Sequence, residues 1–265
     1  MTSPSVVPAP REAPNALFEL LLRLGDDRLV LGHRLSEWCG HGPILEEDIA
    51  ISNVALDLLG QATMFLRLAG EVEGKGRDED ALAYLREVVE FRNAQIVELP
   101  KGDFAFTIAR QFLFDVYSVV LLDALSRSTN VDLAAIAAKS LKEAKYHVRH
   151  SGEWMLKLGD GTDESHRRAQ KAIDDLWRFT PELFAADDVD RAMQAAGVAP
   201  DLAALKGQWE TLVRDVLDRA TLTLPNDMPR PANTRGGRTG AHTEHLGHML
   251  AEMQIIARSH PGAKW

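Results

Sequence analysis

The 265-residue sequence predicts an all-α protein, a bundle of long helices with additional shorter helices toward its C-terminal end. Three observations predict it. Apolar residues recur at steps of three and four along several segments, which marks one face of a helix in each. No alternating apolar and polar run of useful length appears, so strands are not expected. Gly, Pro and polar clusters punctuate the chain at short intervals, and long helices joined by short loops describe an up-and-down bundle. A segment of about 25 residues makes a helix about 38 Å long.

Residues 1–14 are rich in Pro and Ser and lack the apolar stretch of a signal peptide, so they read as a flexible tail before a single helical domain over 15–265. The first helix is expected over 15–38, ending at the stop Cys39-Gly40-His41-Gly42-Pro43. The second covers 44–70, where Ile51, Val54, Ala55, Leu58, Ala62 and Phe65 form one apolar stripe. After the polar loop Gly74 to Asp80, a third helix is expected over 79–98, up to Pro100-Lys101-Gly102. Ile108, Phe112, Val116 and Val119 predict a helix over 103–126; Leu133, Ala137, Leu141, Ala144 and Val148 predict one over 131–158. Further helices are expected over 163–184, 187–196 and 201–221. A Pro/Gly/Arg loop from Pro225 to Gly240 leads to a last helix over 241–258.

Composition narrows the function classes. The apolar fraction is 45% and the charged fraction 26%, values of an ordinary globular chain. A formal net charge of −9 argues against nucleic acid and anionic membranes, which need a basic face. No apolar run reads as a bilayer span. The single cysteine, Cys39, forbids an intrachain disulfide and suits a cytoplasmic location; it reads as a small residue near a helix end.

The chemistry-bearing feature is a pair of damaged motifs. A carboxylate-bridged di-iron centre in a four-helix bundle takes Glu-x-x-His from two helices and one carboxylate from each of the other two. Here one helix carries Asp57-Leu58-Leu59-Gly60, an acid without its histidine. Another carries Ala144-Lys145-Tyr146-His147, a histidine without its acid. Asp115 lies on an interior row of its helix, and Glu37 is the acid the first helix offers, close to its end. With Gly60 and Ala144 empty, the ligand count fails. The favoured expectation is a metal-free polar network of Asp57, Asp115 and His147, joined by Glu37, Tyr146 or water, because buried polar groups need partners. Glu143 and His147, spaced i and i+4, read as a helix pair. Arg230, Arg235 and Arg238 make the one basic loop, expected to be exposed. The His-rich run Ala241 to His248 lacks the H-E-x-x-H of a zinc peptidase and reads as a helix start with Thr243 or a neighbour as cap.

Five stretches carry a family resemblance: Leu35-Ser36-Glu37-Trp38-Cys39-Gly40-His41-Gly42-Pro43, Leu56-Asp57-Leu58-Leu59-Gly60-Gln61-Ala62, Lys142-Glu143-Ala144-Lys145-Tyr146-His147, Leu176-Trp177-Arg178-Phe179-Thr180 and His242-Thr243-Glu244-His245-Leu246-Gly247. From about residue 17 to Trp265 the chain resembles the C subunits of bacterial phenylacetyl-CoA epoxidases, multicomponent ring-1,2-epoxidases. The resemblance implies a ferritin-like fold and a non-catalytic structural role beside a catalytic A subunit. That subunit holds the di-iron centre, and a separate reductase supplies electrons from NADPH. It implies no cofactor or metal in this chain, and a CoA-ester site at the interface of the two subunits. Two stretches are candidates for touching that ester, Phe91-Arg92-Asn93 and Trp177-Arg178-Phe179, because Arg forks hold phosphates and aromatic rings stack on bases. Two other readings stay open on the residues alone: an active di-iron oxygenase with unusual ligands, and a stand-alone helical binder of CoA esters.

Overall fold

The computed structural model describes residues 16–225 and 236–263, and all regular structure among them is helical. Four long helices frame it: α1 (Ala16–Ser36), α2 (Leu45–Glu73), α5 (Phe104–Leu125) and α6 (Val131–Gly159). Between them lie the short α3 (Glu79–Tyr84) and α4 (Gln95–Glu98); after them come α7 (Asp163–Trp177), α8 (Asp188–Ala195), α9 (Leu202–Arg219) and α10 (Glu244–Ser259). α1 pairs with α2 and α5 with α6, and the two hairpins close on each other through α2 and α6.

Local chemistry places the ends. Asp103 caps α5 by accepting the Phe106 N–H, and Asn130 caps α6 by accepting that of Leu133. α2 ends at Gly74, whose φ of 68° is the left-handed conformation glycine adopts without strain. α1 and α2 approach closely at Gly25, where a Cβ would stand 2.7 Å from the Leu66 side chain. α5 is apolar all round and sits at the centre, with α6, α7 and α9 packed about it. Beside it Trp209 stacks on Trp177 at 5.4 Å and donates its indole N–H to the Leu113 carbonyl at 3.0 Å.

Three expectations need correction. The helix expected over 79–98 is broken into α3, a 3-10 turn at Val88–Glu90 and α4, with an extended stretch between the turn and α4. Two buried carboxylates of α1 hold it open: Asp26 accepts the Arg92 N–H and Asp27 the Ala94 N–H, each at 2.8 Å. Those amides serve another helix, so they are lost to their own. The helix expected over 163–184 stops at Trp177, and a separate 3-10 turn follows at Thr180–Phe184, with Pro181 in its first turn. Finally, α2 and α5 are each long and apolar enough to cross a bilayer, contrary to the sequence reading. The most apolar stretch of α5 is 89% buried, as befits the core helix of a bundle; that of α2 is only 44% buried.

The C-terminal part is stapled to the bundle. Arg238 pairs with Asp27 through both guanidinium nitrogens, at 2.9 and 2.7 Å, and donates to the Arg92 carbonyl. It is therefore an interior tether, not part of an exposed loop; Arg230 and Arg235 lie outside the described residues. Thr243 is the N-cap residue of α10 as expected, but its N–H and hydroxyl both go to Glu98, each at 2.7 Å. His242 turns its ring nitrogens to Glu98 and the Phe91 carbonyl, at 2.6 and 3.0 Å. Further along α10, Gln254 donates to the carbonyls of Ala83 and Arg86.

Candidate functional site

Two of the predicted residues, Asp57 and His147, meet between α2 and α6, and a third, Asp115, lies on α5 with partners of its own. His147 is buried and donates from Nε2 to Asp57 Oδ2 at 2.9 Å. Asp57 stands at the rim, its side chain 41% exposed. Asp115 is buried on α5, where its two oxygens accept from Gln111 Nε2 at 2.6 Å and Ser151 Oγ at 2.7 Å. The Ser151 hydroxyl also lies 3.0 Å from the His147 carbonyl, which links the acid to the histidine's helix. Burial pushes the Asp115 carboxyl up to about 6, against the pull of His147 and the two hydrogen bonds.

The other predicted positions are elsewhere. Glu37 lies beyond the last residue of α1, half-buried and bound to Arg34 at 2.6 Å. Gly60 is exposed, and a Cβ there would meet nothing within 4 Å. It is thus a surface position, and the inward residue of that turn is Gln61. Ala144 is buried. Tyr146 is exposed and takes no part in the network.

A residue that sequence reasoning missed occupies the interior instead. Arg28 of α1 is buried; it donates from Nε to Gln61 Oε1 at 2.9 Å and from Nη2 to Ser118 Oγ at 3.3 Å. Gln61 in turn donates to Glu143 Oε2 at 2.8 Å. One hydrogen-bonded chain therefore touches α1, α2, α5 and α6. The guanidinium also lies 4.8 Å from the centre of the Phe65 ring and donates to the Leu24 carbonyl. Burial pushes its pKa down to about 10. The signal was present: Arg28 stands on one helical row with Leu21, Leu24, Leu31 and Leu35.

These residues do not fit a di-iron centre. Among the described residues no three His, Cys, Asp or Glu side chains converge as a metal site would need. Asp115 spends both oxygens on neutral donors, the buried acids of α1, Asp26 and Asp27, are spent on Arg86, Arg238 and backbone amides, and Gly60 is exposed. The buried positive charges on α1 and α5 are guanidinium groups: Arg23, Arg28, Arg34 and Arg110.

The stretches suggested for the CoA ester are mostly occupied. Phe91 and Asn93 are 0% exposed, and Phe91 lies under the Arg86 guanidinium. Arg92 is held by Glu19 at 2.9 Å. Of this trio only Arg92 keeps surface, with its side chain 22% exposed. Trp177 is buried against Trp209; only Arg178, exposed, and Phe179, half-buried beneath it, face outward.

Asp115 makes a pH prediction. Its folded pKa exceeds the ordinary carboxylate value, so the folded chain holds this proton more tightly than the unfolded one. The stabilising contribution is full below about pH 4 and is lost as pH rises to about 6. Asp115→Asn should therefore flatten the fall in stability between these pH values by up to about 3 kcal/mol. Chemical denaturation across that range reads it, and parallel profiles for parent and variant would refute the assignment.

Long paired helices with inward acids and a histidine define a ferritin-like helical bundle, here one without the ligands of a di-iron centre. The chain belongs to the phenylacetic acid catabolic protein family, whose model matches residues 4–265. It is similar to the C-type subunit of the 1,2-phenylacetyl-CoA epoxidase of Escherichia coli (strain K12), with 50% identity over 251 residues, 95% of this chain and 100% of that protein.

Proposed function

We propose that this chain is the non-catalytic C-type subunit of a phenylacetyl-CoA 1,2-epoxidase acting in aerobic phenylacetate breakdown in the cytoplasm. It stabilises the A subunit, which carries the di-iron centre, and a separate NADPH-dependent reductase engages the complex transiently. The observation that carries this reading is Arg28: a buried guanidinium is tied by hydrogen bonds into a chain that joins four helices, in a bundle where no three metal-ligating side chains converge among the described residues. The full-length likeness to a C-type subunit supports it. Of the CoA-ester candidates, Arg178 and Phe179 remain as outward groups for a site shared with the A subunit.

Co-expression tests the proposal. The A subunit made with this chain is expected to be soluble and to epoxidise phenylacetyl-CoA with the reductase. Made alone, it should lose most of its soluble yield or its turnover. Equal yield and equal turnover of the A subunit alone would sink the reading.

A further inference from the structure

Resting on the subunit reading above, the geometry points to the α2–α6 face as the surface on which the catalytic subunit docks, through an apolar helix flanked by carboxylates. On α2, Leu45, Ile49 and Leu56 lie on one side of the helix and are 71%, 52% and 65% exposed. Gly60 continues that side with open space above it. On α6, Lys139, Lys142, Lys145 and Arg149 form an exposed ridge. None of the four has an ion-pair partner among the described residues; Arg149 only lies 5.4 Å from the exposed Tyr146 ring.

Three cross-links fix the two ridges side by side: Glu47–His150 at 2.9 Å, Asp57–His147 at 2.9 Å and Gln61–Glu143 at 2.8 Å. The result is an apolar ridge beside a cationic one, with the half-exposed Asp57 between them. Four unneutralised cations are anomalous on a chain of net charge −9, and they select an acidic surface. A second copy seated on the same face would bring a second set of the same four cations into the contact. An anionic membrane suits the surface less, because Glu46 and Glu153 are exposed beside these ridges and the whole chain is acidic.

Binding of purified chain to immobilised A subunit tests it. Gly60→Trp adds bulk where nothing stands within 4 Å, so the isolated fold is kept while the face is obstructed. Lys142→Glu with Arg149→Glu reverses the ridge and serves as the second arm if Gly60→Trp fails to fold. Each variant is expected to weaken binding by about 10- to 100-fold, while Leu212→Ser, on the exposed side of α9, binds like the parent. Parent-like binding by both variants overturns the docking face and leaves the subunit reading standing. No binding by the parent overturns both. A dimer of the isolated chain that Gly60→Trp dissociates, or binding to phosphatidylglycerol vesicles that the charge reversal abolishes, overturns the proposal in favour of a second copy or a membrane.

Discussion

Asp26→Ala is expected to destabilise the chain by about 3–5 kcal/mol, the usual cost of leaving one partner of a buried ion pair alone. Asp26 is 0% exposed, and its carboxylate faces the Arg86 guanidinium with both oxygens, one contact being 3.0 Å. Arg86 is 2% exposed. The same carboxylate accepts the Arg92 N–H, so the substitution also strands a backbone amide. The loss should not remain local. Arg86 donates to the Glu90 carbonyl and α10 bonds the Arg86 carbonyl through Gln254, so the whole α3–α10 flank depends on the pair. A drop in denaturation midpoint with an unchanged slope, together with faster proteolysis after residue 79, is the expected result. A loss below about 1 kcal/mol, the level of a surface pair, would contradict it.

Gly60→His with Ala144→Glu restores both metal motifs in the sequence, yet the variant is expected to take up no more iron than the parent. Position 60 is exposed and a Cβ there meets nothing within 4 Å, so a histidine there stands on the solvent side of α2. Ala144 is 1% exposed, so a glutamate there needs a partner, and the interior already holds a fixed cation at Arg28. Because that glutamate strains the core, single Gly60→His is the arm that must fold. Iron uptake near two atoms per chain by either variant would show that ligand loss alone separates this chain from a metal-bearing bundle.

The long helices were legible because each carries enough apolar period to overrule its polar residues. The break in 79–98 was not, because its cause lies on α1: Asp26 and Asp27 take amides more than sixty residues away in the chain. The Asp57–His147 pair was legible because both residues stand on or beside an apolar row, whereas Asp115, expected in the same network, keeps Gln111 and Ser151 as its partners. Gly60 was misplaced by one position. A motif spacing of three puts it on the site, whereas the helix presents Gln61 inward and Gly60 to solvent. Arg28 escaped notice because a search for ligands passes over cations. Arg238 was assigned to an exposed loop because Pro and Gly surround it, and its partner Asp27 lies 211 residues away.

Arg28 ties the four long helices together from the interior of this bundle, and we propose that the iron belongs to the partner subunit. The most direct test is the iron content of the chain purified alone from iron-rich medium, compared with the A subunit from the co-purified complex. The expected result is iron far below one atom per chain here, with about two atoms per A subunit. About two irons in the isolated chain would contradict the claim and would make this subunit the one to assay for oxygen-dependent turnover.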